Sequence, residues 1–145
     1  MNIGIAGTGK MGLAIGQRLL GLGHTLHVWN RNPARAEPLV AAGALRVDHP
    51  SDLSAQCDFV LSLLTDASAV EQVYSGPHGL LSKPKALLIE MSTVAPEFQA
   101  QMAQQAAAAG ARYLECPVSG SIGPAKDGKL IGFVGGAAEV VATAR

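Results

Sequence analysis

Close to the amino terminus stands Gly7-Thr8-Gly9-Lys10-Met11-Gly12, three glycines at a spacing able to seat a pyrophosphate. Such an anion needs backbone N–H groups and a chain that can come close without side chains in the way. Gly7 permits a tight turn, Gly9 lets backbone approach the ligand, and Gly12 allows close helix–strand packing. A helix opening near Lys10 adds free N–H groups and the positive end of its dipole. With 17 glycines in 145 residues, the triplet by itself is weak, and its surroundings decide. Asn2–Ala6 is a short apolar run suited to a strand buried on both faces. Beyond the loop, Met11, Ile15, Leu19 and Leu22 recur at helical spacing, with Ala14 and Gly16 small enough for close packing on a sheet. Gly21 and Gly23 stop that helix.

A second chemical position follows the strand expected at Thr25–Trp29. A loop that reads the ribose hydroxyls of NAD places an acidic residue about 20 residues past the glycines. Asn30-Arg31-Asn32 occupies that place here. A carboxylate would repel a 2′-phosphate, whereas the Arg31 guanidinium is suited to pairing with one in a forked geometry or to stacking on adenine. The expected cofactor is NADP(H) in preference to NAD(H), with Asn30 and Arg31 at its adenosine end.

These positions need a sheet to bring them together, and the hydrophobic pattern supplies one. Pro33 opens a helix through Ala36, Leu39 and Val40 to Gly43. Leu45–Val47 reads as a third strand, Ser51–Ala55 as a helical turn and Asp58–Leu64 as a buried strand. Thr65–Ala67 turns into a helix carrying Val70 and Val73 and closing at Gly76-Pro77. Ala86–Glu90 is a fifth strand, Pro96 to Gly110 an alanine-rich helix, and Arg112–Glu115 a sixth strand. Strands alternating with helices over short connections predict an α/β fold: a Rossmann-type, doubly wound, mostly parallel sheet in three αβα layers. Ligand then lies outside the carboxyl ends of the strands, where Leu64-Thr65, Ser92-Thr93 and Val118–Ser121 join the glycine loop.

Composition removes other classes. Eleven basic and eleven acidic residues leave no net charge, and aromatic residues are 4% of the chain, which argues against nucleic-acid or membrane partners. Cys57 and Cys116 have no metal-ligand spacing and read as buried thiols of a reducing, cytoplasmic compartment. His24 and His27 read as surface or edge residues, so no metal is expected. No apolar run approaches membrane-spanning length, and the first residues lack the charged and apolar regions of a signal peptide.

Taken in order, Gly7-Thr8-Gly9-Lys10-Met11-Gly12, Val28-Trp29-Asn30-Arg31, Met91-Ser92-Thr93-Val94-Ala95-Pro96, Pro117-Val118-Ser119-Gly120-Ser121, Gly128-Lys129-Leu130 and Gly135-Gly136 resemble the β-hydroxyacid dehydrogenases along the whole chain. That family includes 3-hydroxyisobutyrate dehydrogenase, tartronate semialdehyde reductase and the glyoxylate/succinic semialdehyde reductases. Imine reductases share the glycine loop but not Pro-Val-Ser-Gly and are a weaker match. The resemblance implies that Leu64 and Thr65 border the cofactor, although proline is common in the family where Thr65 stands. It places Thr93 by the nicotinamide ribose or ring. It gives Ser119, Gly120 and Ser121 the substrate carboxylate, held by hydroxyl and backbone N–H groups. Ser121 stands where many members have a second glycine, as in the glyoxylate/succinic semialdehyde branch.

The same resemblance implies a proton-transfer lysine ahead of an asparagine pair, on a long helix leading to an all-helical second domain through which the whole enzyme forms a homo-oligomer. Nothing after Gly136 matches it. Lys126 and Lys129 precede a strand-like Leu130–Val134 and read as solvated turn lysines, and Ala137–Arg145 reads as the opening of a helix. The expectation is therefore an NADP-binding domain of an oxidoreductase that moves a hydride between nicotinamide and a small hydroxyacid, semialdehyde or oxo acid, cut short before its catalytic residue. A non-catalytic dinucleotide-sensing module is the rival.

Overall fold

The structure is a computed structural model in which residues 1–144 are described; Arg145, the last residue of the expected final helix, lies outside them. The apolar runs form β1 (Asn2–Ala6), β2 (Thr25–Trp29), β3 (Leu45–Arg46), β4 (Phe59–Ser62), β5 (Leu87–Glu90) and β6 (Arg112–Glu115). All pair in parallel in one six-stranded sheet, ordered β3-β2-β1-β4-β5-β6. The order reverses between β1 and β4, so a crevice opens at the carboxyl ends of the two central strands.

Helices cover both faces, as the sequence predicts. On one face α1 (Lys10–Gly21), a 3₁₀ turn at Pro33–Ala36 leading into α2 (Glu37–Ala41), and α6 (Ile122–Asp127) bury Ile3, Ile5, Leu26, Val28, Leu39 and Ala125. On the other, α3 (Pro50–Gln56), α4 (Ala67–Ser75) and α5 (Pro96–Ala108) bury Leu53, Val60, Val70, Tyr74, Leu88 and Met102. Each fully buried aliphatic side chain contributes about 1.5–3 kcal/mol relative to exposure. Close approach depends on small residues: a Cβ on Gly4 would lie 3.2 Å from Cys57 Sγ, and one on Gly16 would lie 2.8 Å from Leu39. No helix among the described residues is long and apolar enough to cross a membrane.

Several boundaries differ from the sequence reading. Leu22 caps α1 and is 57% exposed, because the buried stripe of that helix is made by Gly12, Ala14, Ile15 and Gly16. Val47 and Leu64 lie outside their strands, and Cys116 is half-buried where Cys57 is buried. The largest departure follows β6. Val118–Ser119 (β7) and Ile131–Gly132 (β8) make an antiparallel ribbon of their own, tied to β6 by an antiparallel bridge between Glu115 and Gly135. Between them lies α6, hidden in the sequence by Gly123-Pro124. Lys126 therefore stands on a helix rather than in a turn, while Lys129 follows its left-handed cap Gly128. Helix α7 (Ala138–Ala144) closes the described chain.

Candidate functional site

The centre of the crevice is the turn from β1 into α1. Gly7 adopts φ +103, and a Cβ there would overlap the carbonyl of Leu63; one on Gly12 would overlap the carbonyl of Gly7. Both positions therefore need glycine for the fold itself. Gly9 is different. It caps α1 at φ −69, ψ −169, and a Cβ would meet nothing within 4 Å. The space above it is open, no side chain caps α1, and no acidic residue stands in its first turn. An anion placed there meets the unsatisfied N–H groups and the positive dipole end of a twelve-residue helix.

The loop also carries a polar atom in want of a partner. Thr8 is 1% exposed, and its Oγ1 is the one buried side-chain polar atom without a hydrogen bond among the described residues. An empty cradle above Gly9, a bare helix end and an unpaired hydroxyl fit a pyrophosphate, so the residues present suit a dinucleotide. Lys10 is exposed and Met11 half-buried at the same helix end.

Asn30 has a role that the sequence did not reveal. Its Oδ1 accepts the backbone N–H of Thr8 at 2.9 Å, and its Nδ2 donates to the carbonyl of Asn32, also at 2.9 Å. Gly7 N–H donates to Trp29 O at 2.9 Å. The end of β2 thus holds the glycine loop in shape, and Asn30 has both polar atoms engaged within the chain. Arg31, the next residue, is exposed.

On the other side of β1 the exits of β4 and β5 are joined through a buried polar cluster. Glu90 closes β5 and is fully buried. Its Oε1 accepts the N–H of Ser92 at 2.7 Å, and Ser92 Oγ accepts the N–H of Leu64 at 2.8 Å. Its Oε2 is hydrogen-bonded to Ser62 Oγ, which lies 2.7 Å from the Tyr74 hydroxyl. Burial raises the Glu90 pKa, against the opposing pull of the Ser62 and Ser92 bonds; burial also pushes the Tyr74 phenol up, with the Glu90 charge adding to it. The cluster is satisfied in either protonation state. A carboxylate accepts from Ser62, which accepts from Tyr74; a neutral carboxyl donates to Ser62, whose proton turns to Ile89 O, 3.4 Å away. Leu64 is half-buried on this floor, with Thr65 and Thr93 exposed at its surface.

The glycine loop, Asn30-Arg31, Leu64-Thr65 and Thr93 therefore share one edge of one sheet. Ser119, Gly120 and Ser121 do not belong to that sheet. They lie in β7 and the turn into α6, all exposed, with Gly120 at φ +135, a conformation that favours glycine. The segment is carried beside α1 by α6, whose Ala125 shares a core with Ala14 and Ile15. At the far end of α6 the Arg18 guanidinium packs on Gly128, where its charge complements the helix dipole.

Known proteins share this fold. Residues 2–145 match the family described as the NAD binding domain of 6-phosphogluconate dehydrogenase. The chain is 39% identical over 146 residues to 3-hydroxyisobutyrate dehydrogenase of Pseudomonas aeruginosa, covering 99% of this chain and 49% of that protein. It is 37% identical over 131 residues to cytokine-like nuclear factor N-PAC of Xenopus tropicalis, covering 89% of this chain and 24% of that protein. Among solved structures, Psf3 in complex with NADP+ and 2-OPP superposes with a TM-score of 0.91 at 32% identity, covering 97% of this chain and 51% of that one. The chain thus spans from about a quarter to about half of the length of these relatives.

Proposed function

The chain belongs to the β-hydroxyacid dehydrogenase family, in which it corresponds to the nicotinamide-dinucleotide-binding domain, and from that premise we propose that it binds NADP(H) for reduction or oxidation of a small carboxylate-bearing substrate. The observation that carries the reading is the uncapped start of α1 beneath the open space at Gly9. Met11, Gly12 and their neighbours supply backbone N–H groups to the pyrophosphate, and Thr8 Oγ1 is the hydroxyl left to join them. Arg31, exposed at the end of β2 with no acidic residue in its place, receives the 2′-phosphate. When bound, the nicotinamide supplies a hydride at C4.

The substrate's carboxylate falls to Ser119, Gly120 and Ser121. The exposed hydroxyls and the glycine backbone, which an anion can approach closely, support that role. No residue of the described chain is assigned the proton transfer. Lys126 is exposed in the last turn of α6 and Lys129 is exposed beyond its cap, neither tied to the crevice by a described contact.

Fluorescence titration tests the cofactor. NADPH should bind more tightly than NADH, and Arg31→Ala should cost NADPH roughly 1.5–3 kcal/mol while leaving NADH unchanged. Equal affinity for the two cofactors in the unaltered chain would refute the 2′-phosphate assignment. The likeness to N-PAC, described as a cytokine-like nuclear factor, supports a second reading as a binding module without turnover. The readings separate on the whole polypeptide that the gene encodes: NADPH oxidation with glyoxylate or succinic semialdehyde there supports the enzyme, and NADPH binding without it supports the binding module.

A further inference from the structure

We propose that Glu90 is a positioning residue for the nicotinamide half of the dinucleotide: through Ser92 its buried carboxyl locks the exits of β4 and β5 into one floor. The inference rests on the dinucleotide reading above and deepens it. With the pyrophosphate at the start of α1, the dinucleotide has two directions in which to extend. The 2′-phosphate reader Arg31 stands at the end of β2, on one side of β1. The other half must then pass over the neighbours on the opposite side, which are β4 and β5.

Those two exits would otherwise be independent loops. Leu63 N–H donates to Ala6 O at 2.9 Å and Met91 N–H to Ser62 O at 2.8 Å, which ends the regular ladder. Beyond it, the tie between them is the relay from Leu64 N–H to Ser92 Oγ and from Ser92 N–H to Glu90 Oε1. Glu90 is held in turn by Ser62, its partner across the β4–β5 ladder, and through Ser62 by Tyr74 of α4. One carboxyl thereby fixes Leu64-Thr65 against Ser92-Thr93. Glu90 itself is fully buried and touches no ligand; it acts through the backbone that it holds.

Glutamine can reproduce this arrangement. Its oxygen accepts from Ser92 while its amide donates to Ser62, whose proton turns to Ile89 O. Leucine fills the volume and holds neither loop. The test uses the full chain with two probes, 2′,5′-ADP for the adenosine half and NADPH for the whole, together with the emission of bound NADPH as a reporter of the nicotinamide. Glu90→Gln should keep wild-type affinity for both. Glu90→Leu should bind 2′,5′-ADP normally, bind NADPH about tenfold more weakly and lose the bound-nicotinamide emission. Ser92→Ala, which breaks the relay and leaves Glu90 in place, should give the same split, and it carries the test if Glu90→Leu does not fold. Parallel loss of both ligands in folded Glu90→Leu or Ser92→Ala would mean a general structural role and overturn the inference. Unchanged NADPH affinity in either would also overturn it, leaving the dinucleotide reading intact. Failure of the wild-type chain to bind either probe would overturn both together.

Discussion

Two glycines of one motif should respond to substitution in opposite ways. A Cβ on Gly12 overlaps the carbonyl of Gly7, a backbone atom that can move only if the turn or α1 moves with it. Overpacking of this kind costs up to about 3 kcal/mol. The better helix propensity of alanine returns about 1 kcal/mol. Gly12→Ala should therefore lose about 2 kcal/mol and melt roughly 6–10 °C lower, at roughly 3–5 °C per kcal/mol for a domain of this size. Gly9 already has a backbone conformation open to any L-residue, and a Cβ there meets nothing within 4 Å. Gly9→Val should thus cost under about 1 kcal/mol of stability, the scale of an altered helix cap. The added methyls occupy the space assigned to the pyrophosphate, so NADPH affinity should fall more than about a hundredfold, or about 2.7 kcal/mol. Thermal melts and NADPH fluorescence titration, run on both variants, read the two effects separately. Wild-type NADPH affinity in Gly9→Val would refute the placement of the ligand, and wild-type melting of Gly12→Ala would refute the packing role.

Glu90 makes stability depend on pH. Its folded-state pKa is raised above the ordinary 4.5 by burial, so its contribution is complete below that value and is lost as pH rises through the folded value. Denaturation midpoints of the wild type should fall relative to Glu90→Gln on going from pH 4.5 upward; a constant difference between the two would refute this. Cys57 is 4% exposed, and burial together with the adjacent Asp58 charge pushes its thiol up to about 12. It should resist a disulfide reagent at pH 8 until denaturant is added, with the half-buried Cys116 reacting first, and quantification of modified peptides checks the order.

What the sequence disclosed depended on how local the cause was. The glycine loop was legible because the absence of a side chain is written at each position, and the strands because apolar runs need no partner to be recognised. Asn30 looked like a ligand contact because it stands where a ribose reader stands. Its engagement with Thr8 N–H depends on β1 and β2 ending side by side, which no local pattern encodes. Glu90 was a carboxylate at the end of a strand; Ser62, 28 residues earlier, meets it only through strand pairing. Helix α6 was obscured by Gly123-Pro124, and it forms because Ala125 and Leu130 find the core beside α1. The glycine turn and the strand order could be read in advance, whereas the buried groups that join the strand ends could not.

The pairing of Ser62 with Glu90 also bears on how β4 and β5 choose their alignment. Phe-Val-Leu-Ser against Leu-Leu-Ile-Glu is apolar almost throughout, and a slip of two residues would keep every side chain on its own face. Hydrophobic burial therefore distinguishes the correct register poorly from its neighbours. The polar pair distinguishes it well, because a slipped ladder sets Glu90 opposite Val60 and leaves a carboxyl and a hydroxyl buried without each other. In this respect the carboxyl acts as a register pin, in the way that a lone polar residue fixes the alignment of an apolar helical seam. Replacing both ends with apolar residues, as in Ser62→Ala with Glu90→Leu, would remove the penalty on slippage while leaving the strands as hydrophobic as before.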